Sequence, residues 1–412
     1  MKIKEVLSEE LKAIRPSEEI YRKIKNSSKN FVDELKGKIK KQKIKAEVFI
    51  GGSVAKDTLI AKDKYDVDVF VRFSSSYGGE ISDLLAKLVP KAKRVHGSRD
   101  YFSSTEENIT FEIIPTIKID NPKNAKNITD LSYFHVNYVK KAMAKNKSLA
   151  DEIRLAKAFA FYQGCYGAES YINGFSGYAL ELLIIHYKSF QAFIKAMIGV
   201  NKQMIIDPAK HFLGKKVFTS LNESKLKSPI VLIDPTYKER NALAALSDET
   251  FKIFQGSCKK FLGNPSKDFF KIKDKNLLYP DAIKLEVFTN KQAGDIAGTK
   301  LKKFYRFFIV DMEKFFDIKK SDFVYFEKEN KGIIYLIAKP KKELIISGPE
   351  IKMKEALSKF KKAHKGKRII IVRGRVCVKV FGYNSFDGYM LDFKSKKKKV
   401  IKEMSINKLR LV

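Results

Sequence analysis

The chain has only three cysteines in 412 residues, Cys165, Cys258 and Cys377, and no two of them form a C-x-x-C pair. That scarcity argues against a disulfide framework or a cysteine-built zinc site and suits a reducing interior. Long apolar runs are missing as well. The longest candidate, Tyr178 to Tyr187, contains Glu181 and His186 and falls well short of the ~20 residues a membrane span needs. The stretch MKIKEVLSEELKAIRPSEEIYRK is too acidic for a signal peptide. A soluble, cytoplasmic protein with no membrane partner is therefore expected. There is no internal repeat and no dominant polar tract, and 44% of residues are apolar, so disorder is not the main state. Arginine is scarce too, at 12 residues against 70 lysines. Lysine meets a phosphate as a point charge, whereas arginine reads planar groups with a fork, so backbone or shape recognition is favoured.

What is present is positive charge, +35 in all. It is graded along the chain: residues 1–130 carry +6, 131–260 carry +9 and 261–412 carry +20. The gradient points to a polyanionic partner met mainly by the C-terminal third. A lysine-rich composition solvated everywhere is the plainer alternative. The length suits two to four domains, each with its own core.

The pattern is α+β. Residues 5–45 read as helix interrupted near Pro16, 46–50 as a strand, Gly51-Gly52 as a turn, and 65–73 as an alternating strand. A helix is expected over 80–92 and a strand over 108–114 ended by Pro115. NPKNAKN (121–127) marks a boundary. Residues 131–260 are mainly helical, with helices at 151–164 and through FSGYALELLIIHYKSFQAFIKAMI. Beyond 265 the pattern is mixed: a helix near 297–318, strands DFVYF and GIIYLIAK about an EKENK turn, a basic helix over 351–364, IIIVRGRVCVKV, and a loose basic tip KSKKKK (394–399). The expected layout is a head with a small mixed sheet (1–130), a helical neck (131–262), an α/β body (263–345) and a basic tail (346–412).

The chemistry centres on FIGGSVAKDTLIAKDKYDVDVFVRF (49–73). On its second strand Asp66, Asp68, Phe70 and Arg72 leave one face, while Val67, Val69, Val71 and Phe73 leave the other. Asp66 and Asp68 thus share a face, their backbones roughly 6.7 Å apart. Glu112 lies opposite the core-facing Phe111 and Ile113. If its strand neighbours the aspartates, three carboxylates meet, and such a group calls for divalent cations, two Mg²⁺ ions. The Gly52-Ser53 turn offers N–H groups and a hydroxyl to a triphosphate, and Lys56 adds a charge. Taken singly these signals are weak, because a lone D-x-D is more often two solvated aspartates. Together they indicate a nucleotidyltransferase head.

G-S-x(12)-D-x-D, here Gly52, Ser53, Asp66 and Asp68, resembles the signature of the polymerase-beta nucleotidyltransferase superfamily. More narrowly, the chain resembles the class I, archaeal-type CCA-adding enzymes. The likeness runs through FEIIPTIKI (111–119), Phe134-His135, residues 155–190, DPTYKERNALAA (234–245) and, loosely, ISGPEIKMKEALSKF (346–360). The resemblance implies template-independent addition of C, C and A to tRNA 3′ ends from CTP and ATP with Mg²⁺, and it suggests a homodimer. It implies that Asp66, Asp68 and Glu112 are catalytic metal ligands, and that Gly52, Ser53 and Lys56 form the triphosphate turn. His135, Lys157 and Tyr166 fall where the family binds nucleotide sugar or phosphates, and Arg240 where it meets the incoming base. Two positions depart from the usual pattern: Lys56 stands for arginine and Glu112 for aspartate.

Without the family, His135 reads as a buried histidine, Lys157 as a lysine snorkelling to water, Tyr166 as a core aromatic and Arg240 as a surface-turn pair. Lys361, Lys362, Lys365, Lys367, Arg368, Arg373 and Arg375 are the candidate tRNA contacts, read as tracking an A-form phosphate surface. Two alternatives stand beside this reading: a poly(A)-polymerase-like enzyme, and a non-catalytic RNA-binding protein on the same scaffold.

Overall fold

The structure is a computed structural model that describes residues 2–212, 217, 219 and 221–412. The chain divides into two compact units, one of residues 1–168 and 172–272, the other of 169–171 and 273–412.

The first unit opens with helices α1 (Ile3–Ile14) and α2 (Glu18–Lys41). Pro16 separates them, and Ser17 caps the second by accepting from the Ile20 N–H. A five-stranded sheet follows, in the order β1-β2-β5-β4-β3, from β1 (Ala46–Ile50), β2 (Tyr65–Phe73), β3 (Lys93–Val95), β4 (Tyr101–Glu106) and β5 (Ile109–Ile117). Only the β2–β5 pair is parallel. The short α3 (Gly52–Ala55) and α4 (Ile81–Leu88) complete this part. Val67, Val69, Val71, Phe111 and Ile113 pack under α2 and α4 in one apolar cluster. Because strand side chains alternate, covering that face leaves Asp66, Asp68 and Glu112 on the other.

The strand expected to stop at Pro115 continues to Ile117. β4 pairs with β5 only as far as Ile113, so beyond it the proline sits on an open edge where its missing N–H costs no ladder bond.

The second half of the unit is helical: α5 (Ser132–Lys145), α6 (Leu149–Tyr162), α7 (Gly177–Tyr187), α8 (Phe190–Ile198), the one-turn α9 (Glu223–Leu226) and α10 (Asp248–Gly263). A small sheet, β6 (Met204–Ile206), β7 (Ile230–Asp234) and β8 (Tyr237–Asn241), is inserted. The single helix expected over 175–198 is two. Lys188 turns left-handed (φ 69°), and Ser189 caps α8 by accepting from the Ala192 N–H.

The second unit has a helical turn α11 (Lys275–Leu278), β9 (Ile283–Thr289), α12 (Asp295–Met312), β10 (Phe316–Phe326), β11 (Lys331–Pro340), β12 (Glu343–Glu350), α13 (Lys354–Ala363), β13 (Arg368–Val372), β14 (Arg375–Phe381), α14 (Phe386–Lys396), α15 (Lys398–Glu403) and β15 (Ile406–Leu411). The antiparallel sheet β10-β11-β9-β15 buries Leu285 and Val287 against Phe304 and Phe308 of α12 and Phe393 of α14. The helix expected over 297–318 ends at Met312, because β10 claims residues from Phe316. KSKKKK is no loose tip either, since α14 and α15 take up most of it. A separate sheet, β12-β14-β13, carries α13 beside β12.

Candidate active site

The Gly51-Gly52 turn is shaped by what lies beneath it. The Gly51 N–H donates to the Asp68 carbonyl (2.8 Å), and a side chain on Gly51 would run into the Phe70 ring. Gly52 is left-handed (φ 56°), and a Cβ there would stand 1.6 Å from Asp68 Oδ2. The turn therefore lies directly on the aspartate carboxylate. Gly52→Ala combines a left-handed strain of about 1–2 kcal/mol with displacement of that carboxylate. Nucleotide transfer is expected to fall at least about tenfold in a single-turnover assay, since a displacement near 1 Å can cost far more than its stability effect.

The β2–β5 register sets Asp68 opposite Glu112 and Asp66 opposite Thr110. Phe111 and Ile113 are buried while Glu112 is half-exposed, so Glu112 shares the open face with both aspartates. The Asp68 residue is half-buried, but its carboxyl is packed under the turn. Burial pushes that carboxyl above its usual range and Asp66 pushes it further, against the pull of Lys56 and Lys157. Asp66 is exposed, with Lys62 Nζ 3.8 Å from its Oδ2. Among the described residues no group of three or more histidine, cysteine or acidic side chains is arranged to hold a metal ion by itself. The donor set nonetheless fits magnesium, which takes one or two carboxylates and completes its shell with water and substrate phosphates.

Two lysines flank this face. Lys56, at the C-cap of α3, and Lys157, on α6, each reach one oxygen of Glu181 at 2.7 Å. Lys157 also donates to Thr58 Oγ1 at 3.1 Å. It does not snorkel to water; it is only 6% exposed because a buried carboxylate receives it. Glu181 is 1% exposed. Burial would raise its carboxyl, but Lys157 and Lys56 outweigh that and hold it below its usual range. A Cβ on Gly177, the first residue of α7, would lie 2.9 Å from the Tyr166 hydroxyl and 3.7 Å from Lys157 Cε, so these groups crowd one helix start. Arg154 joins α6 to the 57–59 segment by donating to the Leu59 and Asp57 carbonyls (2.9 and 2.7 Å) and to the Tyr21 hydroxyl (2.6 Å).

A second cluster surrounds Asp234, which is fully buried. Arg240 donates to its Oδ2 (2.8 Å), and Tyr178 to its Oδ1 (3.0 Å). The Thr236 N–H and hydroxyl also reach Oδ1, at 2.8 and 2.7 Å. His135 Nε2 lies 3.0 Å from Oδ2. Its ring stacks on Tyr178 at 4.0 Å. Burial depresses the His135 imidazole more than Asp234 raises it, so the ring is neutral at neutral pH. Burial works against the Asp234 carboxylate, yet His135, Arg240 and the Thr236 N–H together hold it far below its usual range. Arg240 is thus no surface-turn pair. Its neighbour Glu239 accepts from Tyr237 instead.

Asp234, Glu181 and Arg154 lie in these clusters but are not among the site residues expected from the sequence. Only Glu181 carried a signal, as a lone acid inside an apolar helical run, where a buried charge demands a partner.

In the second unit, Lys361, Lys362, Lys365, Lys367, Arg368, Arg373 and Arg375 are all exposed. Arg373 (φ 49°) and Gly374 (φ 73°) make a two-residue turn that joins β13 to β14.

Residues 151–271 match the family described as tRNA nucleotidyltransferase, second domain. A CCA-adding enzyme from Nanoarchaeum equitans is 35% identical over 274 residues, which cover 65% of this chain and 67% of that one. CCA-adding enzymes from Thermococcus gammatolerans and Methanocaldococcus jannaschii are 30% and 31% identical over 66% and 67% of this chain, which spans 61% and 63% of theirs. Among solved structures, a cytoplasmic RNA terminal U-transferase superposes with a TM-score of 0.51 at 13% identity, over 66% of this chain and 99% of that one. At that identity the likeness is one of fold.

Proposed function

This chain belongs to the CCA-adding enzyme family, and from that premise we propose that it builds and repairs the CCA end of tRNA from CTP and ATP without a nucleic-acid template. The observation that carries the reading is the pairing of Asp68 with Glu112 on the open face of the sheet, under the Gly52 turn. Asp66, Asp68 and Glu112 would hold two Mg²⁺ ions, whose chemistry is to activate a hydroxyl and neutralise charge on a leaving pyrophosphate.

The chain's own residues bind and orient. The Gly52-Ser53 turn, Lys56, Lys157 and Tyr166 would hold the triphosphate, and His135 and Arg240 the sugar and base. The tRNA 3′-hydroxyl oxygen gives up its proton to solvent and bonds to the α-phosphorus, the bond from that phosphorus to the bridging oxygen breaks, and pyrophosphate leaves. In this reading residues 1–130 are the catalytic head, 131–262 the neck, 263–345 the body and 346–412 the tail that meets the acceptor stem and the arm stacked on it.

The test is extension of tRNA lacking its CCA end. CTP alone should add two C residues, ATP alone should add nothing, and both together should stop at CCA. Long A tails with CTP ignored would favour a poly(A) enzyme, and no product would favour a non-catalytic RNA-binding protein.

The tail supplies an independent prediction. Lysines that neutralise phosphates release counterions, so the tRNA affinity should fall steeply as salt rises. Replacing Lys361, Lys365 and Lys367 by alanine should flatten the slope of log affinity against log salt by about 1 for each phosphate that is no longer neutralised. An unchanged slope in a filter-binding titration would remove these residues from the interface.

A further inference from the structure

We propose that Glu181 is a positioning residue for the triphosphate: its buried carboxylate clamps the ammonium groups of Lys56 and Lys157 together. The proposal rests on the reading above that these lysines receive phosphates.

The geometry is specific. The carboxylate spends one oxygen on each lysine, both at 2.7 Å, and the lysines come from separate elements, the C-cap of α3 and the middle of α6. Thr58, 1% exposed, accepts a second hydrogen bond from Lys157 and fixes its ammonium from another side. The triad is net positive by one charge and sits within electrostatic reach of Asp68, whose carboxyl feels both lysines. A free lysine side chain gives up rotamer entropy when it is ordered. Holding two of them before substrate arrives removes that cost from the binding step. A triad present for stability alone would have no such consequence, because buried ion pairs are often replaceable by apolar residues without loss.

The decisive variant is Glu181→Gln. Its amide can accept from one lysine, but its NH₂ faces the other, so one ammonium is released. In the full-length protein, ATP should bind at least about tenfold more weakly, while AMP and tRNA affinities stay within about twofold, because only the β- and γ-phosphates depend on both lysines being held. In a Lys157→Met background the same change should cost less than about threefold, since its route of action is already gone.

The proposal is overturned by normal ATP affinity in folded Glu181→Gln protein, by equal losses for ATP and AMP, or by full additivity with Lys157→Met. Thermal melting run alongside reports whether the variant folds. If it does not, the near-isosteric Thr58→Val decides: a loss of about threefold for ATP with AMP unchanged supports the clamp, and unchanged ATP binding overturns it. Wild-type protein that transfers no nucleotide would instead refute the proposed function. Active wild type beside a Glu181→Gln variant with normal ATP binding refutes the clamp alone.

Discussion

Asp68→Asn should abolish nucleotide transfer while leaving the protein as stable as before, or more so. Loss of a metal-coordinating carboxylate removes several kcal/mol of transition-state stabilisation, which corresponds to about 10³-fold or more in rate. The stability half follows from the carboxyl's surroundings. Burial, the largest cause, raises its folded-state pKa above the unfolded value of about 3.9, and Lys56 and Lys157 do not fully offset this. A carboxyl raised by folding binds its proton more tightly in the folded state. Its stabilising contribution is present below the unfolded pKa and lost as pH rises through the folded one. Above the folded-state pKa the ionised group is therefore a cost that the amide relieves. Single-turnover extension together with thermal melting checks both halves, and a Tm well below wild type would contradict the stability argument.

Asp234→Ala should have the largest effect on stability. It strands Arg240 and Tyr178 and leaves both Thr236 donors without their acceptor, all around a fully buried carboxylate. Breaking a buried pair from one side costs about 3–5 kcal/mol. Urea unfolding should register that loss, and KM for CTP and ATP should rise as Arg240 and His135 lose their anchor. The pH dependence runs opposite to that of Asp68. A depressed carboxyl contributes stability above its unfolded pKa and loses it as pH falls through the folded value, so the wild-type advantage over Asp234→Asn should persist at neutral pH and shrink only in strong acid. A variant within about 1 kcal/mol of wild type would show that the hub is not structural.

The carboxylate face was legible because strand alternation separates charge from valine at Asp66 and Asp68, and because Glu112 breaks the same pattern between Phe111 and Ile113. β4 was not legible. Its strand YFSSTE has little aliphatic alternation, and the turn into β5 gives its left-handed position to Glu107 (φ 53°) rather than to glycine or asparagine. The break between α7 and α8 was hidden in the same way, with Lys188 taking the left-handed position that glycine usually marks. Asp234 was invisible for a different reason. Tyr178 and His135 are distant in the chain, and no local spacing announces that they meet.

On the open face beneath the Gly52 turn, Asp66, Asp68 and Glu112 are proposed to hold divalent ions. Titration of Mn²⁺ into the protein with a non-hydrolysable CTP analogue, followed by electron paramagnetic resonance, measures this directly. Wild type should hold about two ions tightly, and both Asp68→Asn and Glu112→Gln should lose at least one of them. Full occupancy retained in either variant would contradict it.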